Sequence, residues 1–138
     1  KYVERLLKGL GEIGPKKVVL TGVYFDDRQL GAAVYDRTTG EIDYEFSDRV
    51  EGYYHGTGDV FGSALVAALM RGCGLKKAAS IAVDFTVRSI LRTKKAGTDV
   101  RFGVDFESGL ARLAQQLDNA GTNPAGDQGG NKEQEYGK

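Results

Sequence analysis

The chain has 138 residues, 41% of them apolar and 28% charged, which is enough for one domain with a genuine core and too few for two of ordinary size. Nineteen basic residues balance nineteen acidic ones, no basic run is interleaved with aromatics, and no apolar stretch reaches membrane-spanning length. These features argue against a nucleic-acid or membrane partner and for a small molecule. A single cysteine, Cys73, and no leader of signal-peptide type make a reducing, cytoplasmic setting the expectation. Helical periodicity is already running at Lys1, from which a missing N-terminal part is expected.

Val3, Leu6, Leu7, Leu10 and Ile13 recur at helical spacing, so residues 1 to about 13 read as an amphipathic helix ended by Gly14-Pro15. Lys17 to Thr21 is a short apolar run closing at Gly22, the pattern of a strand buried on both faces. Gln29 to Tyr35 is a second strand. Ile42, Tyr44 and Phe46 alternate with Asp43 and Glu45 in a third that buries one face, and Asp36 to Gly40 turns the hairpin between them. Residues 59 to 71 are apolar nearly all round and predict a buried helix, stopped by Gly72-Cys73-Gly74. A second helix of about eighteen residues starts near Leu75. Leu75, Ala78, Ala79, Ala82, Phe85 and Ile90 form its core face, Lys77, Asp84, Arg88 and Arg92 its wet side, and Asp84 and Arg88 are spaced to pair. Thr98 to Gly103 is a connector, and Asp105 can cap a last helix through Leu110, Leu113 and Leu117. Residues 119–138 are polar and glycine-rich and read as a flexible tail.

The chemistry concentrates in His55-Gly56-Thr57-Gly58-Asp59-Val60-Phe61-Gly62, a glycine turn feeding the apolar helix. The first N–H groups of a helix lack intrahelical partners and carry the positive end of its dipole, so such a turn can hold a phosphate without a lysine. Two readings of Asp59 stand. It is a favourable charge in a first helical turn, worth about 0.3 to 1 kcal/mol, or it is a group presented to a bound phosphate. The glycines on either side, which let a ligand approach the backbone, favour the second. The spacing G-x-G-x-x-x-G is neither the dinucleotide fingerprint nor a P-loop. Thr21-Gly22 reads first as a strand exit and second as a ligand-lining strand end. His55, the only histidine, reads as loop structure that could contact nucleotide, Cys73 as packing, and Asp26-Asp27 as a solvated loop rather than a metal site.

Gly56-Thr57-Gly58-Asp59 before an apolar helix, with the upstream strand Val18 to Gly22, resembles the C-terminal half of ribokinase-superfamily small-molecule kinases, and the Gly-Thr-Gly-Asp form resembles the pyridoxal kinases among them. Sugar kinases usually carry Gly-Ala-Gly-Asp here, and hydroxymethylpyrimidine kinases tend to carry cysteine at the position of Asp59. The helices ending in Ser80 to Thr93 and the segment Gly103 to Glu107 also look like that family, so the likeness covers residues 1–118. It implies the C-terminal portion of a three-layer α/β/α domain with a mixed sheet, and transfer of the ATP γ-phosphoryl group to the hydroxymethyl oxygen of a B6 vitamer. It also implies Asp59 as catalytic base and substrate contact, and Gly56, Thr57 and Gly58 as the anion hole. Thr21, Gly22 and His55 would lie on the nucleotide side, Mg²⁺ would accompany ATP, and the family tends to form homodimers. A non-catalytic ATP-binding module and a hydroxymethylpyrimidine or sugar kinase are the alternatives.

Overall fold

A computed structural model describes residues 1–26, 29–48, 50–51 and 54–121. Helix α1 (Tyr2–Glu12) leads into strands β1 (Lys17–Asp26), β2 (Gln29–Asp36) and β3 (Glu41–Asp48), followed by helices α2 (Thr57–Met70), α3 (Leu75–Ala96) and α4 (Leu110–Gly121). The strands pair in the order β1-β2-β3, antiparallel throughout, so the mixed sheet implied by the family likeness is purely antiparallel over the described strands. Asp27 and residues 122–138 lie outside the described residues.

Alternation along the strands sorts their side chains into two layers. Val18, Leu20 and Val23 of β1, Ala33 and Tyr35 of β2, and Ile42 and Phe46 of β3 pack with Val3 and the fully buried Leu7 of α1. On the opposite face Val19 and Val34 meet Leu65 and Leu69 of α2 and Leu75 and Ala79 of α3. Ala32 joins the largest cluster there, with Val60, Phe61, Ala64, Phe85, Val104, Leu113 and Leu117. Helix, sheet and helices therefore form three layers, as the likeness implied.

Strand β1 departs from expectation. It does not close at Thr21-Gly22 but continues to Asp26. The register jumps from Thr21 opposite Ala32 to Val23 opposite Gly31, and Gly22 between them sits at φ +70°. The glycine is a bulge rather than a terminator, and the extra residue returns Val23 to the α1 face that Val18 and Leu20 occupy. The strand is also less buried than a continuous apolar run predicts, with Val19 and Leu20 half-buried and Thr21 exposed.

Helix α1 buries a narrower stripe than its periodicity suggests. Arg37 Nη1 donates to the Gly11 carbonyl (3.2 Å), and Gly11 packs so near Tyr35 that a Cβ there would meet the ring at 2.9 Å. Burial first, and then the Glu4 carboxylate on one flank of the helix, hold the Tyr44 phenol above its ordinary pKa. The other flank, carrying Tyr2, Leu6, Leu10 and Ile13, stays exposed. Helix α2 is likewise not buried all round. Val60, Phe61, Ala64 and Ala68 are inside, but Val66 and Met70 are 53% and 83% exposed because α3 covers only one side of the helix.

Helix α3 runs 22 residues, longer than expected. Arg88 Nε donates to Asp84 Oδ1 at 2.8 Å, the predicted pair, and Gln116 Nε2 of α4 reaches the other oxygen at 3.3 Å with Arg112 at 3.8 Å. One half-exposed carboxylate thus ties α4 to α3. Asp84→Ala is expected to lower stability by about 1 kcal/mol in a urea titration, since each contact is solvent-screened.

Candidate functional site

Helix α2 begins at Gly56, which sits at φ 81°, ψ 0° as its N-cap. A left-handed cap is open to glycine at no steric cost, and it leaves no side chain to satisfy the helix start. None does: no side-chain hydrogen bond caps α2, and its first helical bond is Val60 N–H to the Gly56 carbonyl, 3.0 Å. The N–H groups of Thr57, Gly58 and Asp59 therefore face outward at the positive end of the dipole. Thr57 points its hydroxyl back, donating to the Tyr54 carbonyl at 3.4 Å, which ties the turn to the preceding chain. A Cβ on Gly58 would meet nothing within 4 Å. Glycine inside a helix costs about 1 kcal/mol relative to alanine, and no packing among the described residues requires it at 58.

Asp59 follows in the first turn and is exposed. It heads the open flank of α2 that continues through Ser63, Val66 and Met70. His55 is exposed beside the turn, and its carbonyl lies 3.6 Å from where a Cβ on Gly103 would stand. Thr21 and Gly22 are exposed at the β1 bulge. Thr21 pairs with Ala32, whose cluster contains Val60 and Phe61, so Thr21 lies on the sheet face that α2 covers. Cys73 is buried in that cluster, as packing predicts. Among the described residues no group of three or more His, Cys, Asp or Glu could hold a metal ion. No helix among them is long and apolar enough to cross a membrane.

Sequence reading missed one polar constellation. Ser89 and Thr93 of α3 are fully buried, and Arg92, expected on the wet side, is half-buried. Arg92 Nε and Nη2 both donate to the Asp105 carbonyl (3.2 and 2.9 Å), Nη2 also to Ser89 Oγ (3.1 Å), and Thr93 Oγ accepts the Asp105 N–H at 2.8 Å. A signal existed. Phe85, Ser89 and Thr93 are four apart, so two hydroxyls continue the core stripe and require buried partners. Upstream, the Arg101 side chain and its N–H hold the Asp99 carboxyl below its ordinary value, so this exposed turn is tied above the carboxylate range and loosens as pH falls into it.

Three-layer α/β/α packing is the architecture of ribokinase-like small-molecule kinases, and two solved structures share the fold of this chain. Residues 1–103 match the model of the phosphomethylpyrimidine kinase family, and the chain belongs to that family. It is similar to a protein assigned as a phosphomethylpyrimidine kinase from Bacteroides thetaiotaomicron VPI-5482, with 27% identity and TM-score 0.77 over 82% of this chain and 39% of that one. It is similar also to the pyridoxal kinase of Lactobacillus plantarum, with 26% identity and TM-score 0.74 over 85% and 42%. A second crystal form of the Bacteroides protein, with pyridoxal, gives 26% and 0.71 over 85% and 40%. The chain thus spans roughly two-fifths of the length of these structures. No curated protein matches it.

Proposed function

We propose that this chain forms the phosphate-handling part of a kinase that transfers the γ-phosphoryl group of ATP to the hydroxymethyl oxygen of pyridoxal, pyridoxine or pyridoxamine. The observation that carries the reading is the uncapped start of α2, where left-handed Gly56 presents three backbone N–H groups and Asp59 stands exposed in the same turn. ATP supplies the phosphoryl group when bound. Asp59 orients the attacking hydroxyl and takes its proton as the new O–P bond forms and the bond to the β-phosphate oxygen breaks. The N–H groups of Thr57, Gly58 and Asp59 hold the charge that builds up on the transferring group. A carboxylate in this place is a weak base, adequate where transfer is loose and the proton leaves late. Thr21, Gly22 and His55 line the nucleotide side in this reading.

The Lactobacillus pyridoxal kinase and the Bacteroides structure with pyridoxal support a B6 vitamer, as does Asp59 where hydroxymethylpyrimidine kinases tend to carry cysteine. The family match favours a second reading, a phosphomethylpyrimidine substrate on the same site. A panel of B6 vitamers, hydroxymethylpyrimidine and phosphomethylpyrimidine, tested with Mg²⁺ and ATP on the intact protein that contains this chain, separates them. Pyridoxal phosphate formation, read by absorbance, is the expected result. Turnover of the pyrimidine alone establishes the second reading, and ATP binding without product from any substrate identifies a non-catalytic module.

A further inference from the structure

The anion turn has a glycine cap, and the Thr57–Tyr54 bond that ties it to the preceding chain is a long one at 3.4 Å. A stiffer support reaches it from behind. Arg92 grips the Asp105 carbonyl through two N–H groups, Thr93 Oγ takes the Asp105 N–H and donates to the Ser89 carbonyl at 2.8 Å, and Ser89 Oγ is anchored to the Phe85 carbonyl at 2.8 Å. Both backbone polar groups of Asp105 are thereby fixed to α3. Arg92 thus makes two hydrogen bonds to the Asp105 carbonyl and one to Ser89 Oγ. Gly109 closes over the guanidinium so tightly that a Cβ there would lie 2.5 Å from Nη2. The strut then runs back through Val104, buried in the cluster that contains Val60 and Phe61 of α2 and against which Tyr54 packs. Gly103 ends it beside the turn, with the His55 carbonyl 3.6 Å from where a Cβ on that glycine would stand.

We propose that Arg92, with Thr93, is a positioning residue that sets the geometry of the anion turn by clamping the 103–105 backbone against Tyr54 and His55. The kinetic part of this proposal rests on the kinase reading above, and the structural part does not. Amide hydrogen exchange on the intact protein tests the latter. In Arg92→Gln, and separately in Thr93→Val, the amides of Val60 and Phe61, the first bonded within α2, should exchange about tenfold faster than in the parent, while residues 2–20 stay unchanged. Thr93→Val preserves shape and deletes only the hydroxyl, and it carries the test alone if Arg92→Gln does not fold. Faster exchange confined to residues 103–107, with Val60 and Phe61 unmoved, overturns the proposal. Where the parent phosphorylates a substrate, both variants should lower kcat about tenfold with KM for the acceptor changed less than about twofold, because the turn acts on the transferring group. Arg92→Lys, which can reach the same carbonyl with one donor, should recover part of both effects. Loss of thermal stability with unchanged kcat overturns the kinetic part. A parent without turnover refutes the kinase reading and leaves the exchange result to decide the clamp.

Discussion

Asp59→Asn is expected to lower kcat for phosphoryl transfer in the intact protein by about a thousandfold, while ATP affinity stays within about twofold. Asparagine has the size of aspartate and can remain in the first turn of α2, so Gly56, Thr57 and Gly58 keep their geometry. What disappears is the ability to take the proton of the attacking hydroxyl. Stability changes little, since the lost charge–dipole interaction at a helix start is worth about 0.3 to 1 kcal/mol. Removing a negative charge from the vicinity of bound phosphates will, if anything, tighten ATP binding. Steady-state kinetics with calorimetric ATP titration separate the effects. Equal losses in turnover and affinity, or no loss in turnover, would make Asp59 a stabilising charge of the helix start and nothing more.

The largest expected effect on folding belongs to Gly31, in the middle of the sheet. A Cβ there would fall 1.9 Å from the Glu45 carbonyl oxygen and 2.8 Å from Phe46 Cα, both backbone atoms that no rotamer change can move away. Gly31 pairs with Phe46 on one side and with Val23, just past the β1 bulge, on the other, so relief requires displacing one of the flanking strands. Gly31→Ala should therefore destabilise the chain by at least about 3 kcal/mol, beyond ordinary overpacking of a side-chain core. Chemical denaturation checks this. A loss under about 1 kcal/mol would show that β3 shifts freely.

Much of this fold was legible in the sequence because local rules and tertiary packing agree. The α1 periodicity, the Asp36–Gly40 hairpin and the two helices separated by Gly72-Cys73-Gly74 all stand. The failures have physical causes. At Gly22 a glycine after an apolar run looks the same whether it ends a strand or bulges it, and only the register with β2 distinguishes the two. On α2, apolarity measures what a helix can bury, and Val66 and Met70 have no cover among the described residues. Arg92 was misplaced because its partner is a backbone carbonyl 13 residues away, which leaves no trace in side-chain patterning. At the site, the glycine start of the helix was readable from Gly56 to Asp59, whereas the Arg92 bonds to the Asp105 carbonyl were not.

The handedness of Gly56 has a further consequence. The groups that this helix start presents to a ligand are main-chain N–H vectors, and their aim depends on a φ of 81° that an L-residue adopts only under strain. An alanine scan will register Gly56 as a damaged fold and pass over the N–H of Gly58 altogether, since truncating side chains cannot delete an amide. Chemical synthesis can address what genetics cannot. D-alanine suits a positive φ where L-alanine does not, and an ester in place of one peptide bond removes one donor at a time. The specificity of such a turn is thus written in stereochemistry rather than in side-chain identity.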